Sequence, residues 1–221
     1  GHACVERFNG MFGFAGWNAR DRTLFVARDR LGVKPLFYLR RGGSYTFASD
    51  LKALWEVHAP SSNVNPSAIY NYFSQSFIST SQTSTLGVFK FPPGEVWTLS
   101  CSGEQRRTYW DLNEVPIDSK MGFNDVTAQT ETLLKEALRL RLRSDVPVGC
   151  FLSGGVDSSL AVAMTAETLG RSFHTYSIGF DSKDFDETPF VRRVLNRYKT
   201  DHHHRRLDSS CLEALPKIVS S

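Results

Sequence analysis

The seven residues Ser153-Gly154-Gly155-Val156-Asp157-Ser158-Ser159 constrain this 221-residue chain more than any other stretch. They stand between an apolar run, Val146 to Leu152, that reads as a buried parallel strand, and a helical pattern from Asp157 to Leu169 that stops at Gly170. Two glycines let successive backbone N–H groups turn toward one point without interference from a Cβ. Ser153, Ser158 and Ser159 add hydroxyl groups, and the helix that begins near Asp157 aims its positive end at the same place. The product is a socket for phosphate oxygens. Asp157 beside it suits a bridging Mg²⁺ better than a bare phosphate, which it would repel. A glycine turn that serves only helix entry, capped by Asp157 and Ser158, is the competing reading. The strand context, the serines and the acid favour phosphate. No Lys follows the glycines, so the loop is not a Walker A motif, and no GxGxxG is present to support a dinucleotide site.

The rest of the second half agrees with a parallel sheet. Asn124 to Arg143 has a helical pattern whose apolar face is Val126, Leu133, Leu134, Ala137, Leu138 and Leu142. Phe173 to Phe180 reads as a strand and Glu187 to Arg197 as a helix. His202 to Leu207 reads as a short strand and Ser209 to Val219 as a further helix. The first 110 residues have another character. Gly10 to Trp17, Thr23 to Ala27, Leu36 to Leu39, Tyr45 to Ala48 and Glu95 to Leu99 read as closely spaced strands, hence antiparallel. Pro66 to Phe77 reads as a short helix with Asn65 as N-cap, Pro92-Pro93-Gly94 as a turn, and Ser74 to Thr85 as a loop. Three parts are expected: 1–110, a polar linker over 111–122, and 123–221.

Hydrophobic residues make up 41% of the chain and charged residues 22%, which excludes extensive disorder. Its apolar runs fall far short of the roughly 20 residues of a membrane helix. A net charge of +3 without a basic stripe gives no footprint for nucleic acid. Cys4, Cys101, Cys150 and Cys211 show no CxxC spacing and read as reduced, mostly buried thiols of a cytoplasmic protein. His202, His203 and His204 suggest a metal, but consecutive strand residues face opposite ways, so the three do not converge.

Residues 153–159 resemble the SGGxDS signature of the N-type ATP pyrophosphatases. Phe8-Asn9-Gly10-Met11-Phe12-Gly13-Phe14-Ala15, Ala27 to Tyr38 (ARDRLGVKPLFY) and Phe47 to Leu54 (FASDLKAL) narrow the resemblance. So do Pro92-Pro93-Gly94, Tyr109-Trp110, His174 to Phe180 (HTYSIGF), Asp186-Glu187 and Leu215 to Val219 (LPKIV). Together they resemble the glutamine-hydrolysing asparagine synthetase family over nearly the whole chain. The resemblance implies an α+β, antiparallel, Ntn-type glutaminase part followed by a parallel-sheet α/β ATP pyrophosphatase part, both truncated.

It also implies ATP-dependent amidation of aspartate through a β-aspartyl-adenylate, with ammonia from glutamine: a carbon–nitrogen ligase using ATP and Mg²⁺. By resemblance, Asn9 holds the glutamine α-amino group where many members have Asp. Ser153, Gly154, Gly155, Ser158 and Ser159 hold the pyrophosphate, with Asp157 on Mg²⁺. Phe151, Leu152 and Ile178 line the adenine site, Ile178 through its backbone. Asp186 and Glu187 lie near the nucleotide entrance without a catalytic role. Arg28, Asp29, Arg30 and Lys34 read as a charge run around a turn, with a structural role. The expected partners are glutamine, aspartate and ATP, with a homodimer left open. The start at Gly1 without Met and the end in mid-pattern suggest an internal fragment. Such a piece would lack the N-terminal Cys nucleophile and the later aspartate-site residues, and would be inactive alone. A sister amide-forming enzyme, such as a β-lactam synthetase or peptide cyclase, and a non-catalytic nucleotide-binding protein are the alternatives.

Overall fold

The computed structural model describes residues 2–58, 64–79, 81–181, 184, 186–208 and 213–220. The chain forms two compact units, Gly1–Ile117 and Asp118–Ser221. The division falls in the polar stretch 111–122, where Leu112–Glu114 makes one 3₁₀ turn capped by Asp111.

The first unit is built on antiparallel strands. A 3₁₀ segment, His2–Arg7, leads to β1 (Gly13–Asn18) and β2 (Thr23–Arg28), which pair as a hairpin. Then come β3 (Phe37–Arg41), β4 (Ser44–Ala48), α1 (Leu51–His58) and α2 (Pro66–Gln75). β5 (Val88–Lys90), β6 (Glu95–Ser100) and β7 (Gly103–Thr108) complete it. The strands form two sheets, β1-β2-β6-β7 and β4-β3-β5.

The register of β2 on β6 sets the core. Val26 opposes Trp97 and the next pair is Ala27 with Val96, so the two pairs face opposite sides of the sheet. Val26 and Trp97 join Leu36 and Phe91, with Tyr38, Tyr45 and Phe47 against them. Ala27 and Val96 join Val5, with Cys4, Phe12, Phe14 and Tyr109 around them. The centre of the sheet, at β2 and β6, is therefore buried on both faces. The Asn65 side chain caps α2 by accepting from the Ala68 N–H at 3.3 Å, with Pro66 at the first turn, as the sequence leads one to expect.

Besides the 3₁₀ segment His2–Arg7, three elements of this unit escape the sequence reading. β7, Gly-Glu-Gln-Arg-Arg-Thr, is exposed at every position and has no apolar alternation to reveal it. Its Arg106 guanidinium lies 4.0 Å from the Trp97 ring centre and so covers the core. β5 has three residues. The eight-residue α1 is announced only by Asp50, whose carboxylate accepts from the Lys52 N–H at 2.8 Å.

The charge run at Arg28 to Lys34 is wired around one buried carboxylate, with Arg28 and Arg30 half-buried and Lys34 exposed. Asp29 is 2% exposed, and its carboxylate accepts from the N–H groups of Val33, Lys34 and Phe12 at 2.9, 3.0 and 3.2 Å. Burial alone would raise its pKa, but the backbone donors at Lys34, Val33, Phe12 and Leu31 outweigh that and hold it below the usual carboxylate range. Arg28 donates to the carbonyls of Phe91, Gly32 and Lys34.

The second unit has strand–helix alternation. It runs α3 (Phe123–Arg141), β8 (Gly149–Phe151), α4 (Val156–Leu169), β9 (His174–Phe180), α5 (Thr188–Arg197), β10 (Asp201–Leu207) and α6 (Leu215–Ser220). The three strands are parallel in the order β10-β9-β8. Of the helix expected over Ser209 to Val219, residues 209–212 lie outside the described residues.

Of the run Val146 to Leu152, Gly149–Phe151 pair with β9 among the described residues, and Val146 and Phe151 are 68% and 82% exposed, so the run is not uniformly buried in this chain. One face of the strand is covered, and Leu152 on that face is 1% exposed. α3 meets α4 beside the Lys135–Glu167 pair at 3.3 Å, and none of its residues is buried among the described residues. Free thiols are found at Cys4, Cys101 and Cys150, and against the expectation of mostly buried thiols Cys4 and Cys150 are half-buried and Cys101 is exposed at the β6–β7 turn, while Cys211 lies outside the described residues. Among the described residues, no helix is long and apolar enough to cross a membrane.

Candidate phosphate-binding site

Residues 153–155 form the turn from β8 into α4, and the two glycines have different tasks. Gly154 has φ +86°, a left-handed conformation that L side chains rarely adopt. A Cβ on it would stand 2.7 Å from the Phe190 Cβ, 3.1 Å from the Val191 N and 3.2 Å from the Glu187 carbonyl oxygen. The loop is thus seated on the first turn of α5. Gly155 is the N-cap of α4 at φ −69°, and a Cβ there would meet only the Ser153 hydroxyl at 3.5 Å, an ordinary contact.

The serines brace the loop from inside. The Ser158 hydroxyl accepts from the Ser153 N–H at 3.2 Å, lies 3.0 Å from the Ser153 hydroxyl and donates to the Gly155 carbonyl at 3.2 Å. The Gly155 N–H points at the Ser153 hydroxyl at 3.4 Å. The first bond inside the helix runs from the Ser159 N–H to the Gly155 carbonyl at 3.0 Å. The N–H groups of Val156, Asp157 and Ser158 therefore precede the helical ladder and are directed out of its N-terminus. Fourteen residues of helix add their dipole. A phosphate accepts what this loop offers: N–H groups of a helix start, hydroxyls, and a glycine turn held open by its neighbours. Asp157, exposed in the first turn, has the oxygen donor that Mg²⁺ requires.

The other expected site residues divide. β9 alternates, with Thr175, Ser177 and Gly179 buried and Tyr176, Ile178 and Phe180 exposed. Ile178 is 52% exposed and Phe151, beside Tyr176 on the neighbouring strand, 82%, so both lie on the open face of the sheet. Leu152 does not join them. Its side chain is packed with Val162, Phe173 and Val191, and its N–H bonds the Tyr176 carbonyl at 2.8 Å, so the residue anchors the loop from below. Its side chain thus points away from the open face where Phe151 and Ile178 lie. Asn9, in the other unit, is exposed in the segment between the 3₁₀ turn and β1.

The sequence reading missed the seat of the loop on α5. Asp186 stands just before Glu187, the N-cap of that helix, and its carboxylate accepts from the Thr188 N–H at 3.2 Å and hydroxyl at 2.5 Å. Those bonds hold its carboxyl below the usual range. The Asp-Glu-Thr-Pro string is a recognisable helix start, but nothing in it tells that the helix meets Gly154.

Residues 1–110 match the family model for a glutamine amidotransferase domain, and residues 129–221 match that for asparagine synthase. Three relatives are named as glutamine-hydrolysing asparagine synthetases. One from Methanocaldococcus jannaschii, a putative one, is 38% identical over 92% of this chain and 40% of its own length. Asparagine synthetase 3 of Bacillus subtilis is 35% identical over 90% and 35%. Asparagine synthetase 1 of the same organism is 31% identical over 97% and 34%. The chain thus spans well under half the length of the curated relatives it matches.

Proposed function

This chain belongs to the glutamine-hydrolysing asparagine synthetase family, and on that premise we propose that the whole protein converts aspartate to asparagine at the expense of ATP, with nitrogen drawn from glutamine. The observation that carries the reading is the braced loop of residues 153–159 at the N-terminus of α4. Pyrophosphate is the group it would hold, through the hydroxyls of Ser153, Ser158 and Ser159 and the N–H groups of Val156, Asp157 and Ser158, in the space that Gly154 and Gly155 leave open. The aspartate β-carboxylate attacks the α-phosphorus of ATP, the bond to the bridging oxygen breaks, and pyrophosphate departs toward the loop. Ammonia then displaces AMP from the β-aspartyl-adenylate. Asp157 would hold Mg²⁺, which neutralises charge on the leaving pyrophosphate when bound. Donors fixed before the reaction stabilise that charge at little reorganisation cost, which is why the serine brace matters.

Phe151 and Ile178 offer apolar surface for adenine on the open face of the sheet. In the first unit, Asn9 takes the place that receives the glutamine α-amino group, with an amide oxygen as acceptor. The chemistry and the free thiols suit the cytoplasm.

The test is calorimetric titration of the 221-residue chain with MgATP and with magnesium pyrophosphate. Binding of both, with the Mg²⁺ requirement lost in Asp157→Asn, is the expected result. No binding of either at millimolar concentration overturns the assignment of the loop. For the whole protein, pyrophosphate release that depends on aspartate identifies the acceptor. Release with other carboxylic acids and not with aspartate overturns that part.

A further inference from the structure

The second unit holds a cluster that the nucleotide chemistry does not use. β9 and β10 run parallel with His174 opposite Asp201 and Tyr176 opposite His203. Asp201 and His203 are two residues apart on one strand and so share a face. His174 joins them from the neighbouring strand. The His174 Nδ1 lies 3.0 Å from the Asp201 Oδ2 and 3.3 Å from the His203 Nε2, and that Nε2 is 3.7 Å from the same carboxylate oxygen. The Tyr176 ring stacks on His203, with centroids 5.1 Å apart and planes 17° apart, and fixes the imidazole edge toward its partners.

We propose that His174, Asp201 and His203 form a site for a divalent transition-metal ion of the Zn²⁺ type. Three ligand atoms converge within 4.8 Å of one another. A tetrahedral ion with bonds of about 2.0–2.1 Å needs its donors about 3.3 Å apart, and the three observed separations bracket that spacing. Two imidazoles and one carboxylate suit Zn²⁺, Co²⁺ or Ni²⁺, whereas Mg²⁺ takes oxygen ligands, so the site is chemically distinct from Asp157. A cavity of ≈ 530 Å³ bordered by His174, Asp201 and Asp145 leaves space for water to complete the coordination. The cluster lies at the starts of β9 and β10, whereas the phosphate loop follows the end of β8. A metal there clips β9 to β10.

The sequence argument against a metal held for the three consecutive histidines and failed for this group. His202 and His204 do face the other way. His202 has both ring nitrogens on hydroxyls, Thr175 at 2.9 Å and Ser177 at 3.0 Å, and the His204 Nδ1 is 2.8 Å from Ser177. His203 alone turns to the face that Asp201 shares, and its other partner is 29 residues away in sequence.

The experiment titrates the full chain with Co²⁺ and with Zn²⁺ in the presence of saturating Mg²⁺. It follows the visible Co²⁺ spectrum and the Cε1–H proton resonances of the histidines. One equivalent is expected to bind with nitrogen and oxygen ligation, shifting two histidine resonances. His203→Gln and Asp201→Asn each weaken binding at least about 100-fold, beyond the ~10–100-fold cost of losing a ligand's outer-shell partner. His204→Gln leaves binding unchanged. All three positions are exposed, and circular dichroism reports folding of each variant. Absence of binding in the parent chain overturns the proposal. So does equal affinity in His203→Gln, or a thiolate-to-cobalt charge-transfer band, which would place the ion on a cysteine.

Discussion

Gly154 rests on Phe190: a Cβ placed on the glycine would lie 2.7 Å from the Cβ of the phenylalanine, so the phosphate loop and the first turn of α5 can meet only through a glycine. Gly155, one residue on, has no such neighbour. The pair separates folding from binding. Gly154→Ala is expected to destabilise the chain by about 1–3 kcal/mol, through its left-handed φ and the clash with Phe190. Gly155→Ala is expected to keep the melting temperature and to lose at least about tenfold in MgATP affinity, because its methyl would fill the space a phosphate needs, a loss of ~1.4 kcal/mol or more. Thermal melts and calorimetry check both. Equal effects of the two substitutions on stability would refute the division.

Ser158 is the brace rather than only a ligand. Its hydroxyl meets the Ser153 N–H, the Ser153 hydroxyl and the Gly155 carbonyl. Ser158→Ala removes all three bonds at a partly exposed site, where each is worth about 0.5–1.5 kcal/mol. The expected outcome is a three- to tenfold loss of pyrophosphate affinity at roughly 1 kcal/mol of loop ordering, with a change in melting temperature of a few degrees at most. Ser158→Thr, which keeps the hydroxyl, should restore most of the affinity. If alanine and threonine bind alike, the brace has no role.

Asp29 makes the first unit acid-sensitive. Its carboxyl titrates below the ordinary value of about 3.9 because buried backbone donors favour the charged form. A depressed folded pKa means that the stabilisation is complete above the ordinary value and is lost as pH falls through the lower folded one. Urea midpoints recorded from roughly pH 6 down to pH 2 should therefore fall steeply at the acid end. Asp29→Asn turns an NH₂ group toward N–H donors. It should lower the midpoint at neutral pH by about 1–3 kcal/mol of stability and flatten the acid limb. An unchanged acid limb in that variant would assign the sensitivity to other carboxylates.

The sequence displayed those parts of the fold that local chemistry dictates. Pro66 behind Asn65, the Asn18-to-Arg22 turn between two strands, and Gly170 after Leu169 each specify their structure within a few residues. The loop of residues 153–159 belongs to this class, since glycines, serines and a helix start are contiguous. What depended on partners distant in sequence was not legible. β7 carries only polar residues, and its pairing with β6 shows nowhere in its own pattern. The run ending at Leu152 reads as buried throughout, yet its pairing with β9 puts Leu152 on the covered face and Phe151 on the open one. His174 and Asp201 become neighbours through the parallel register alone.

Leu152 joins the two kinds of information, because it closes an apolar run and opens the phosphate loop. Its side chain is 1% exposed among Val162, Phe173 and Val191, while the next residue, Ser153, is exposed in the loop. Truncation at such a site removes packed atoms and leaves a cavity that the strand and the two helices fill only in part. Leu152→Ala is thus expected to cost about 2–5 kcal/mol, read as a loss in the denaturation midpoint. Leu152→Met conserves volume and should cost less than about 1.5 kcal/mol. If the side chain acts only as an anchor, MgATP affinity measured well below the melting temperature stays within about threefold in the methionine variant, a difference below ~0.7 kcal/mol. A large loss of affinity in Leu152→Met with unchanged stability would return the side chain to the adenine site and displace it from the core.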